Sequence, residues 1–163
     1  WHVPDNETPS VDFVHAEHTS EVSCVAQHSQ SYLLLSGGQD RRFIAWNIDQ
    51  ERAEHVEKLP AAVTSVKENP ADPNLLLLSM QSRTNQLRSV DYRTMKPVLH
   101  LGYNIAETAN TTQFITPDWS LNGHLVVCGS TEPVVNVWDV RYVNVEKEHS
   151  TIPVHDRRVL QCT

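Results

Sequence analysis

No stretch of this 163-residue chain approaches the roughly 18 consecutive apolar residues of a membrane-spanning helix. The opening WHVPDNETPS holds neither a basic nor an apolar targeting region. Cysteine is scarce. Cys24, Cys128 and Cys162 are odd in number, far apart and set inside apolar strand patterns, which reads as reduced core thiols in an intracellular protein, nuclear or cytoplasmic. Metal-ligand spacings are missing too: the nine His are scattered, with no C-x-x-C or H-x-x-x-H, so neither a metal nor a cofactor is expected. Basic residues are outnumbered, 13 Lys and Arg against 20 Asp and Glu, for a net charge of -7. That balance disfavours broad contact with a phosphate backbone, so direct nucleic-acid binding is not expected. It leaves room for basic protein partners, or serves solubility alone.

What the chain does have is a repeat. Trp1-His2-Val3, Trp46-Asn47-Ile48, Val90-Asp91-Tyr92 and Trp138-Asp139-Val140 fall in register at spacings of 45, 44 and 48 residues. A period of roughly 40 to 45 residues suits a four-stranded β unit with some loop insertion. The first full repeat reads as strands at His18 to Val25, Tyr32 to Ser36, Phe43 to Trp46 and Ala53 to Leu59, with a turn at Gly37 to Asp40. The second reads as Val63 to Val66, Leu75 to Leu78, Leu87 to Val90 and Pro97 to Leu101. The third opens at Gln113 to Asp118, takes Trp119 as part of an insertion, and continues through His124 to Cys128 and Val134 to Val137. His155 to Val159 repeats the step from His18 to Val22, which places Cys162 with Val25 and Val66 in a core role and begins a fourth unit. Ser10 to Ala16 would be the outer strand of a preceding unit.

With the period, His, Gly-x-Asp and Trp in phase, the chain resembles the WD-repeat family over essentially its whole length. The resemblance implies an all-β fold, a WD-repeat β-propeller segment with about three complete four-stranded blades and parts of two more. The corresponding division is 1–17 as the end of one blade, 18–60, 61–104 and 105–154 as blades, and 155–163 as the first strand of the next. With no initiator Met and with Thr163 inside a strand-like run, the expectation is a piece of a longer protein.

The resemblance further implies that His18, Ser36, Asp40 and Trp46 brace the first blade by a chain of hydrogen bonds. The chemistry is sound in itself. A carboxylate accepts a His N–H, the other ring nitrogen takes a Ser hydroxyl proton, and a buried Trp Nε1–H needs an acceptor. The same residues could be taken for a Ser/His/Asp triad, but no nucleophile elbow or oxyanion site accompanies them and Ser36 lies in an apolar strand, so no catalytic residue is expected. The second repeat has Thr84 for Asp40 and Val90 for Trp46. The third has Glu132 for Asp40 and Cys128 for Ser36, so both would lean on apolar packing.

The functional clue is a pair of triplets, Asp91-Tyr92-Arg93 and Asp139-Val140-Arg141, which repeat symmetry would set on one face. They are similar to the W-D-x-R boxes of WD-repeat substrate receptors of cullin-RING ubiquitin ligases, although Arg93 lacks the preceding Trp. That similarity implies a non-catalytic interaction scaffold whose partners are a propeller-built ligase adaptor and a substrate protein. An Asp-x-Arg pair can also do no more than tie a strand end to its neighbour. Arg41 and Arg42, at the other end of the blade, form a second contact or a solvated turn. The competing reading is a structural subunit of a chromatin or trafficking assembly that binds basic segments over an acidic rim of Glu17, Glu21, Asp49 and Glu51.

Overall fold

The computed structural model describes residues 16–103, 105, 114–142, 150–153, 156–157 and 159. Among them the chain forms three antiparallel four-stranded sheets and no helix. The first, blade 1, runs β1 (Val22–Gln27), β2 (Leu33–Gly38), β3 (Arg42–Asn47), β4 (Arg52–Lys58), paired in that order. Blade 2 repeats this with β5 (Val63–Glu68), β6 (Leu75–Met80), β7 (Leu87–Asp91) and β8 (Lys96–Leu101). Blade 3 consists of β9 (Asp118–Trp119), β10 (Leu125–Cys128), β11 (Val134–Asp139) and β12 (Ser150–Pro153).

The register makes the repeat physical. Trp46, Val90 and Trp138 sit opposite Leu34, Leu76 and Val126, the same place in each blade. Blades 1 and 2 even share their irregularities. Each breaks register after its first Val, between Val22 and Cys24 and between Val63 and Ser65, and again two-thirds along the third strand, at Ala45/Trp46 and Ser89/Val90.

Strand alternation then decides which residue faces which neighbour. Leu33, Leu35, Phe43 and Ala45 of blade 1 meet Val63, Val66, Leu76, Leu78, Met80 and Val90 of blade 2 in one apolar layer. The opposite face of blade 2, through Leu77 and Leu87, meets Trp119, Val126, Cys128 and Trp138 of blade 3 in a second. The continuous run Leu76-Leu77-Leu78 is buried throughout because this strand has a blade on each side. Each such Leu contributes about 1.5–3 kcal/mol on burial, so the two layers hold the blades together.

Two expectations are corrected. Trp119 is no insertion. It ends the inner strand of blade 3 opposite Val126, where Gln27 and Glu68 end theirs, and is 7% exposed because its indole fills the layer against blade 2. Val22 and Val25, expected in a core like Val63 and Val66, are 48% and 59% exposed, because their face of blade 1 points away from blade 2. Cys24 points the other way, into the first layer, where burial pushes its thiol up to about 11. The strand expected at Ser10 to Ala16, the residue Gln113, and the His155 and Cys162 of the fourth unit lie outside the described residues, Ala16 apart. Val159 is described and buried, its carbonyl 2.1 Å from where a Gly129 Cβ would stand, as Val63 stands against Gly37.

Candidate functional site

Asp91 and Asp139 close the third strands of blades 2 and 3, opposite Leu75 and Leu125, so their turns project from the same end of successive blades. Each carboxylate first folds its own turn, accepting the backbone N–H two residues on, Arg93 at 2.9 Å and Arg141 at 3.1 Å. It then takes the guanidinium of that Arg side-on. Arg93 Nε and Nη2 donate to Asp91 at 3.2 and 2.7 Å, and Arg141 Nε and Nη2 donate to Asp139 at 3.0 and 2.5 Å. This planar two-bond fork fixes the side chain and leaves Nη1 on the guanidinium edge away from the carboxylate. The fork to Arg93 holds the Asp91 carboxyl below its ordinary range despite some desolvation, and the same bonds raise the Arg93 and Arg141 guanidinium values. Both arginine side chains are more than half exposed, and the Arg141 guanidinium also stands 5.5 Å from the centre of the Tyr142 ring. In blade 1 the position belongs to Asn47, whose Oδ1 accepts from Gln50 N, and Asp49 stands in the place of Arg93.

The opposite end of blade 1 carries the other predicted set. His18 Nδ1 meets Asp40 Oδ1 at 3.0 Å and His18 Nε2 meets Ser36 Oγ at 2.9 Å. Burial acts to raise the Asp40 carboxyl, but the Thr19 amide, the His18 ring and the Arg42 amide together carry it below its usual range. Trp46 is buried, and register sets it on the same face as Ser36. The His18–Ser36–Asp40 chain has triad composition, yet Ser36 is 5% exposed within an interior strand, out of reach of a substrate carbonyl. Arg42 is drawn into the same turn, donating from Nη1 to the Glu17 carbonyl at 2.9 Å, while Arg41 is exposed with φ 66°.

The acidic rim is corrected by strand polarity. Glu17 and Glu21 precede β1, at the Asp40 end, whereas Asp49 and Glu51 sit in the β3–β4 turn at the other end, so the four share no surface. At the Asp40 end Glu21 joins Val22, Ser23, Gln39, Thr64 and Phe114 around an opening to which all three blades contribute. Among the described residues no three His, Cys, Asp or Glu are grouped to hold a metal ion.

Sequence reasoning missed the links between blades. His28, 1% exposed, donates from Nε2 to the Pro73 carbonyl of blade 2 at 2.9 Å and receives the Ser31 hydroxyl on Nδ1 at 2.8 Å. Asn69, in the same place of blade 2, donates from Nδ2 to the Gly123 carbonyl of blade 3 at 3.0 Å. Each is the sixth residue after the first Val of its inner strand, a step visible in the sequence but carrying no shared residue type. Further links are Ser29, bonded through its amide (2.8 Å) and hydroxyl to Glu68, and Lys67 to Asp118 at 2.6 Å.

Blades of four strands, paired in order and stacked face to face through apolar layers, define the class: a segment of a β-propeller. The family model described as "WD domain, G-beta repeat" matches residues 11–47, the stretch that holds His18, Ser36, Asp40 and Trp46. Among curated proteins, the small ribosomal subunit protein RACK1 of Candida albicans is 24% identical over 132 residues, covering 80% of this chain and 40% of its own. Transducin beta-like protein 3 of Rattus norvegicus is 28% identical over 144 residues, 86% of this chain and 16% of its own length. The RACK1 of Schizosaccharomyces pombe is 26% identical, over 83% and 43%. This chain thus spans less than half the length of the relatives it matches. A chain in the crystal structure of a mitotic checkpoint complex superposes at a TM-score of 0.65 with 23% identity, over 88% of this chain and 44% of that one, a likeness of fold.

Proposed function

We propose that this chain is part of a non-catalytic interaction scaffold, the substrate-receptor subunit of a cullin-RING ubiquitin ligase, and that Arg93 and Arg141 dock it on the ligase adaptor. One observation carries the reading: two successive blades hold an Arg in the same carboxylate fork, at the same register, each more than half exposed. Because each guanidinium is already paired, what it offers a partner is a rigid planar donor edge rather than a mobile charge, which suits carbonyl and carboxylate acceptors on a protein surface. Rigid Arg residues are common anchors of protein interfaces. The names of the similar proteins, a ribosomal subunit protein and a chain of a checkpoint complex, agree with life in an assembly.

The test is co-purification of the adaptor with wild type and with Arg93→Ala plus Arg141→Ala. Recovery should fall at least about tenfold, as loss of charge-assisted hydrogen bonds implies. Undiminished recovery by a variant of native stability would sink the proposal.

A second reading, a structural subunit of a chromatin or trafficking assembly, draws on the opening lined by Glu21, Val22 and Phe114, where a carboxylate beside apolar and aromatic groups suits a basic side chain. Binding of a Lys/Arg-rich peptide that weakens steeply with salt and is lost in Glu21→Gln would favour it. Salt-independent binding would count against it.

A further inference from the structure

We propose that His28 is a positioning residue for Arg93, acting across the joint between blades 1 and 2 through the ring of Tyr92. The inference deepens the docking reading and rests on it for its purpose. Tyr92 is the middle residue of the Asp91-Tyr92-Arg93 triplet, and its ring lies against the imidazole of His28 with centroids 3.9 Å apart and planes 35° apart. The imidazole cannot slide away. It is buried, and its two nitrogens are held by the Pro73 carbonyl and the Ser31 hydroxyl. Tyr92 is anchored as well, its amide donating to the Asn74 carbonyl at 2.9 Å and its side chain packing on the first apolar layer. Thus the backbone between Asp91 and Arg93 is clamped by a side chain from the neighbouring blade.

This clamp is specific to blade 2. At the next joint the residue corresponding to Tyr92 is Val140 of blade 3 and the residue corresponding to His28 is Asn69 of blade 2, so neither side chain carries a ring, and Asn69 reaches the Gly123 carbonyl at 3.0 Å instead. Blade 2 is also the blade with Val90 in the Trp position, so less ring surface stands beneath its strand end. The two forks are nevertheless alike. The structure assigns that equivalence to His28, which supplies from blade 1 the aromatic support that blade 2 lacks. Arg93 would then be presented correctly only while the two blades are joined.

The experiment reads the Arg Nε–H resonances of the 15N-labelled full chain, with Arg141 as the internal reference. His28→Ala and Tyr92→Ala should each speed hydrogen exchange at Arg93 Nε–H about tenfold, the loss expected when a charge-assisted bond is freed, while Arg141 stays as in wild type. Tyr92→Phe, which keeps the ring, should leave both unchanged. Asn69→Ala cuts the corresponding link one joint further on and should lower the unfolding midpoint without touching Arg93. If His28→Ala does not fold, Tyr92→Ala carries the test alone. Unchanged Arg93 exchange in the Ala variants overturns the proposal, as does equal acceleration at Arg141 or an equal effect from Asn69→Ala. Adaptor recovery by the double Arg variant is a separate readout: its persistence removes docking and leaves the clamp standing, whereas an unmoved Arg93 signal removes the clamp and leaves docking standing.

Discussion

At the scale of the residue, Asp40 shows how a single carboxylate can hold a turn. It accepts from Thr19 N at 2.9 Å, from the His18 ring and from Arg42 N at 3.1 Å, with its side chain 4% exposed. Its folded value lies below the ordinary 3.8, so the stability it contributes is complete above that pH and is lost as pH falls through the lower folded value. The thermal midpoint should therefore drop below about pH 4, and Asp40→Asn should flatten that part of the profile while costing about 1.5–3 kcal/mol at neutral pH. A profile identical to wild type would show that the carboxylate contributes nothing. His18, Ser36 and Asp40 were legible in the sequence because their spacing against Gly37-Gly38 and Trp46 is itself the signal. His28 was not, since a lone His between an apolar strand and a Ser-rich turn looks the same whether it reaches a neighbouring blade or solvent.

The element that matters most is the blade joint. Gly123 adopts φ +69°, and a Cβ there would stand 2.2 Å from Asn69 Oδ1, against the side chain that links blades 2 and 3. Gly123→Ala should destabilise by about 1–3 kcal/mol, combining a left-handed backbone with a broken buried hydrogen bond. The denaturant midpoint with an unchanged slope is the measurement, and no shift would mean that the link is dispensable. Strand positions and the β2–β3 turn were readable from alternation and turn residues. The inner strand of blade 3 was misplaced because Asp118-Trp119 is only two residues long, too short for a period to register.

Across the whole molecule, the described blades bury their facing surfaces, while the outer face of blade 1, which also holds the buried Ile44 and Trp46, is only partly covered. Val22, Val25 and Val56 on that blade are each about half exposed. A polypeptide of these 163 residues by itself should self-associate, its sedimentation coefficient rising with concentration, and Val25→Lys should reduce the effect. A monomer at all concentrations would show that this face needs no cover. The two Arg forks belong to this scale too, since only the stacking of blade 2 on blade 3 brings both to one end of the assembly.

By itself the sequence determined the all-β class, the repeat and its phase, and the Asp-x-Arg doublet, because each is written as residue type at fixed spacing and a strand's alternation follows from backbone geometry alone. Tertiary structure decided the rest. It separated Glu17 and Glu21 from Asp49 and Glu51, exposed Val22 and Val25 while burying Val63 and Val66, and set His28 under Tyr92. Those outcomes depend on which blade stands beside which face, a contact between residues tens of positions apart that no local pattern encodes.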